Sequence, residues 1–223
     1  MRRAIEVGVV SGYAAAGALA AGIAVAIGRD PIRTPSWVGL EGDASILWSL
    51  VLGALLAGAT VLSSRVLARH TEWTRELHEA LRPAVRDVDG ATIAWMAISS
   101  GVGEELLFRG LLVPLVGVVA SSIGFGLLHQ VRGPARWVWA AWAGGMGVLF
   151  ALVFTVTGSL AGAVLAHVAI NGANLRYIRD VEPVRRPAGA PAPRIFTWRP
   201  GAAPRGTAPP ANAPPEPQPR ART

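Results

Sequence analysis

The sequence predicts an all-α, polytopic membrane bundle of about six transmembrane helices with a disordered carboxy-terminal tail, and three observations carry that reading. Apolar residues make up 52% of the 223 residues and charged ones only 16%, with a mean hydropathy of +0.41, a balance that soluble domains of this size rarely show. Charge-free runs recur that are long enough to cross about 30 Å of hydrocarbon, which takes about 20 helical residues. Arginines gather in alternate connections between those runs.

The first two spans are the uncharged runs 7–28 and 44–64. The run 137–175 is uncharged for about twice the length of one span, and Thr155-Val156-Thr157-Gly158-Ser159 interrupts it as a turn between two helices. Between Ala91 and Val131 the only formal charges are Glu104, Glu105 and Arg109, which leaves room for one further pair. Four segments follow: two amino-terminal transmembrane helices over 1–64, a cytoplasmic amphipathic loop over 65–90, a helical core over 91–180 and a tail over 181–223.

In the loop, Trp73, Leu77, Leu81 and Val85 fall at helical spacing. Such a helix lies on the membrane surface or packs on the cytoplasmic end of the bundle. The tail is rich in proline, alanine and arginine, cannot build a core and has basic residues able to touch anionic lipid. Met1-Arg2-Arg3 ahead of an apolar run, with Ala24-Val25-Ala26 near its end, resembles a secretory leader. The run is longer than the usual 7 to 15 residues, so it is read as a first helix.

With the amino terminus inside, Arg2, Arg3, Arg65, Arg69, Arg75, Arg82, Arg86, Arg132, Arg136, Arg176 and Arg179 all fall on the cytoplasmic side, and only Arg29 and Arg33 fall outside. That asymmetry predicts a multi-pass protein with both termini cytoplasmic. All 21 basic residues are arginine, which points to a GC-rich, bacterial genome, and with the membrane spans makes the bacterial inner membrane the expected location. The net charge of +7 does not imply nucleic acid, because the arginines sit in loops and tail rather than on one face of a folded domain. The absence of cysteine excludes disulfides, thiol nucleophiles and cysteine-type zinc sites.

Ionisable groups inside a membrane cost about 2.5 to 3.5 kcal/mol each, which makes a cluster of them informative. Glu105 and Arg109 stand four apart, on one helical face, where they can pair. Glu104 is rotated by about 100° and points elsewhere, free for chemistry or locking helices together. His129 and His167 also lie in apolar runs, with Asn171 one turn beyond His167, whereas His70 and His78 fall in the polar loop and read as solvated. Three polar constellations on three helices favour one shared interior site over three separate packing contacts.

Glu104-Glu105-Leu106-Leu107-Phe108-Arg109 resembles the EExxxR motif of the CPBP family, the CAAX prenyl endopeptidases and bacteriocin-processing enzymes. Phe125 to His129 is similar to that family's FxxxH motif, and His167 to Asn171 to its HxxxN motif. The resemblance implies an intramembrane endopeptidase acting on a membrane-associated protein or peptide. It makes Glu104 the general base, His129 its partner in holding water, His167 and Asn171 the oxyanion donors, and Glu105 with Arg109 the pair that fixes geometry. Glu104, His129 and His167 equally match a two-histidine, one-carboxylate set for a single zinc ion, so the metal question stays open. An immunity or scaffold protein of the same fold is the non-enzymatic alternative. A small transporter would show inverted repeats, and none is visible.

One departure bears on the site. Gly110 to Gly124 carries no charge, where the family usually has a polar turn. Glu104 lies about 20 Å along its helix from Ala91, whereas His129 falls near the end of the next helix. A broken or re-entrant segment around Pro114 and Gly117 is needed to bring them to one depth.

Overall fold

The segment boundaries are written in the local chemistry. The computed structural model describes residues 2–183, with side chains described from Glu6 onward. The expected tail beyond Pro183 lies outside the described residues. The helices are α1 (Arg2–Ala26), α2 (Gly42–His70), α3 (Glu72–Val85), α4 (Gly90–Glu105), α5 (Val113–Leu128), α6 (Arg136–Thr157) and α7 (Ala161–Asp180), and a π-helical turn, Leu106–Leu112, joins α4 to α5. Among the described residues the only β-type pairing is an isolated bridge between Arg33 and Ser159. The architecture is therefore all-α, as the sequence predicts.

Four stretches are long and apolar enough to cross a membrane: Glu6–Ala26, Gly42–His70, Gly90–Leu128 and Arg136–Thr157. The third, 39 residues long, is not one rod. Gly117 interrupts it with φ 85° and ψ 169°, a conformation that glycine adopts without a Cβ penalty, and Pro114 sits just before the break. The two arms fold back on each other: Ser121 Oγ donates to the Phe108 carbonyl at 3.0 Å, and the Phe108 and Phe125 rings lie 5.0 Å apart. An unbroken helix would separate positions 108 and 125 by about 25 Å. The break expected around Pro114 and Gly117 is therefore present. The turn expected near Thr155 to Ser159 is also present, with Gly158 left-handed at φ 78° and ψ 6°.

Small residues let the helices close on one another. A Cβ on Gly162 would meet the Ser49 carbonyl, and one on Gly53 would meet the Gly162 backbone, so α2 and α7 touch main chain to main chain, the mode by which membrane helices gain van der Waals contact. Hydroxyls pin the same seam: Ser49 Oγ accepts from Gly162 N and donates to Ser159 O, both at 2.8 Å, and Ser45 Oγ donates to Thr157 O at 2.7 Å. Phe150, Phe154, Ala163, Ala166 and Ile170 fill the core between α6 and α7. Leu55, Leu62, Trp95 and Val119 remain on the outside, as a lipid-facing surface requires.

Two expectations for the polar connection are corrected. Residues 65–70 are not loop, because α2 continues to His70, its terminal Arg69 and His70 complementing the negative end of the helix dipole. It stops at Thr71, whose hydroxyl, with that of Thr74, donates to the Leu67 carbonyl. His78 is not solvated: it is buried on α3 with its Nε2 3.1 Å from the Ile178 carbonyl. The cause is the amphipathic face itself, since burying Leu77 and Val85 carries the neighbouring imidazole under α7. The helix thus packs on the end of the bundle.

Candidate active site

The end of α4 carries two carboxylates that the helical rotation sends in different directions. Glu105 is fully buried, and its Oε1 accepts from Arg109 Nη1 at 2.9 Å while lying 2.7 Å from His167 Nδ1. Arg109, 1% exposed, also donates to the Gly147 carbonyl at 2.9 Å and lies over the Phe125 ring at 4.5 Å. One ion pair thereby ties α4, the π turn, α6 and α7 together. The pairing of Glu105 with Arg109 is the one anticipated from their spacing. The sharing of that carboxylate with His167 was not.

Glu104 turns the other way. Its Oε2 is buried without a hydrogen-bond partner among the described residues, and it stands 3.6 Å from His129 Nε2 and 3.7 Å from His167 Nε2. The fold-back of α5 brings His129 to that depth. Rings hold both imidazoles: His167 stacks on Phe150 at 5.0 Å, and His129 lies 4.3 Å from Phe125. The outer nitrogens fix the tautomers. His129 Nδ1 is 2.7 Å from the Phe125 carbonyl, which can only accept, so that nitrogen carries the proton, and His167 Nδ1 likewise donates to the Glu105 carboxylate. In neutral imidazoles both Nε2 atoms then present lone pairs toward Glu104.

Asn171 is held from α4 by another residue than Glu104. Its Nδ2 donates to Ser100 Oγ at 3.0 Å, which uses one of the two amide protons. All these groups except Glu105 and Arg109 line an open-sided cavity of about 270 Å³ whose remaining wall is largely apolar, including Met96, Trp139, Trp142, Met146 and Ile170. Sequence reasoning missed Ser100 and Tyr13. Ser100 had no visible signal among the small residues of α4. Tyr13 of α1 lines the cavity and interacts with the Glu104 carboxylate; a phenol within a charge-free run, one of only two tyrosines, was the signal available.

A zinc ion would need three donors around one point. Although Glu104 Oε2 faces two imidazole nitrogens, among the described residues no group of three or more His, Asp and Glu side chains is placed to hold a metal ion.

A carboxylate and two imidazoles that face one cavity can exchange protons with a water or a substrate held there, the chemistry of general acid–base catalysis. Residues 89–173 match the family described as Type II CAAX prenyl endopeptidase Rce1-like, consistent with a CPBP family intramembrane protease. The match takes in Glu104, Glu105, Arg109, His129, His167 and Asn171, and leaves α1, α2 and α3 outside. It supports CAAX-type intramembrane endopeptidase activity in general terms. No curated protein and no solved structure matches the chain.

Proposed function

We propose that the chain is an intramembrane endopeptidase that hydrolyses a peptide bond of a membrane-associated protein or peptide, with Glu104 as the base. The observation that carries this reading is the unpartnered Oε2 of Glu104 set between two imidazole Nε2 atoms. Glu104 takes a proton from water held against His129 as the water oxygen attacks the carbonyl carbon, and it returns the proton to the leaving amine as the C–N bond breaks. The free N–H of Asn171 stabilises the oxyanion, and His167 does so from Nε2 in its imidazolium form, its other nitrogen being held by Glu105. Glu105 and Arg109 position these groups. The catalytic core is the 91–180 segment, and the bilayer is the protein's permanent partner.

We place both termini in the cytoplasm of a bacterial cell, on the arginine asymmetry. The cavity then opens to the cytoplasm, because its lining from α1, α3, α6 and α7 comes from the arginine-rich ends of those helices. The test is cleavage of a fluorogenic, lipid-anchored peptide library in detergent. Glu104→Gln preserves shape and removes the base, which contributes about 100- to 10,000-fold, so it abolishes cleavage at unchanged protein level, as does His129→Ala. Full activity in Glu104→Gln overturns the mechanism. Activity that survives EDTA and phenanthroline identifies a glutamate enzyme, whereas loss that zinc restores identifies a metal-dependent one.

A further inference from the structure

Tyr13 lies outside the matched segment, yet it meets the acid on which the proposed reaction turns. It lines the 270 Å³ cavity together with Glu104, His129 and His167, and a second cavity with Glu104, His129 and Gln130. Its phenol interacts with the Glu104 carboxylate, from the α1 side. The helix crossing fixes this placement. Gly17, one turn after Tyr13 on the same face, would carry a Cβ 2.7 Å from the Gly103 Cα, and a Cβ on Gly103 would run into the Tyr13 carbonyl. Gly103 immediately precedes Glu104, so α1 and α4 touch backbone to backbone where the phenol and the carboxylate must meet. Any larger residue at either glycine would push the two apart.

We infer that Tyr13 is a positioning residue for the proposed reaction, its hydroxyl donating to the Glu104 carboxylate so that Oε2 stays aimed at the two imidazoles, and that α1 is thereby part of the active site. A hydrogen bond to a charged acceptor is stronger than one between neutral groups. Among the described residues Oε2 has no hydrogen-bond partner to hold it, since His129 and His167 stand beyond hydrogen-bond distance at 3.6 and 3.7 Å. Removing the hydroxyl frees the carboxylate to rotate without opening the helix crossing, which is made by glycine backbone.

The inference rests on the proposed reading of Glu104, and two measurements keep their fates apart. In the peptide assay, Tyr13→Phe lowers kcat by about 10- to 100-fold with KM within about twofold and an unchanged thermal unfolding temperature. An unchanged kcat, a rise in KM alone, or loss of folded protein overturns the positioning role, while inactivity of Glu104→Gln in the same assay upholds the reading of the base whatever Tyr13→Phe does. The second measurement needs no substrate. Protein labelled with 3-fluorotyrosine gives two fluorine resonances, one for each tyrosine, assigned with Tyr177→Phe. Glu104→Gln shifts the Tyr13 resonance and leaves that of Tyr177 in place. A Tyr13 resonance indifferent to Glu104→Gln overturns the inference even if no cleaved peptide is found.

Discussion

Replacing Glu105 by glutamine tests how the site is held. The carboxylate and the Arg109 guanidinium are 0% and 1% exposed, 2.9 Å apart, so Glu105→Gln leaves a buried arginine without its counter-charge, at a cost of about 3 to 5 kcal/mol. Glutamine keeps an oxygen to accept from Arg109 and His167, and the Gly147 carbonyl still accepts from Arg109 Nη2, so the lower end of that range applies. At about 2 to 4 °C per kcal/mol for a unit of this size, 3 kcal/mol lowers the unfolding temperature by about 6 to 12 °C. Intrinsic fluorescence of the eight tryptophans follows the transition in detergent. The double variant Glu105→Gln with Arg109→Met removes the stranded charge and should regain most of the loss. If Glu105→Gln unfolds with the wild type, or if the double variant is less stable than the single one, the buried pair is not what holds the site together.

Three further outcomes are expected. Gly162→Val places a branched side chain against the Ser49 carbonyl and abolishes folded protein, whereas Gly58→Ala, which meets nothing within 4 Å, is neutral in yield and unfolding temperature. Burial pushes the His78 imidazole below its usual 6.5; the unfolded chain then takes up a proton more readily, so stability falls as pH drops below about 6.5 and levels off under the folded-state value. His78→Gln should flatten that dependence, read as unfolding temperature between pH 5.5 and 7.5, and an unchanged slope would refute it. An alkaline phosphatase reporter should be inactive at the carboxy terminus and active when inserted in the loop between α1 and α2, and the reverse pattern would invert the proposed orientation.

The helices were legible in the sequence because lipid imposes one rule, an uncharged run of fixed length, and because turns need residues such as Gly158 and Gly117. The Glu105–Arg109 pair was legible for a similar reason: a spacing of four has one meaning on a helix. What the sequence hid was whatever depends on the third dimension. The sharing of Glu105 with His167 needs α7 to cross behind α4, and Tyr13 reaches Glu104 only through the glycine crossing of α1. His78 misled because a polar segment was read by composition, although its apolar residues at helical spacing already gave it a face to bury. The π turn left no mark at all, since Leu106 to Leu112 fits an α-helix equally well.

After the break at Gly117, α5 has only the eleven residues 118–128, a length of about 16 Å, roughly half the thickness of a hydrocarbon core. The arm ends at His129, and the polar stretch from Gln130 to Arg136, whose arginines fall on the side assigned to the cytoplasm, follows at once. Those residues border an open hollow of about 550 Å³. Hydrocarbon cannot solvate Arg132 and Arg136, so this rim faces water or lipid headgroups. In the proposed orientation the short arm thus sets His129 one residue from a water-facing rim, on the supply side of a reaction that would consume water.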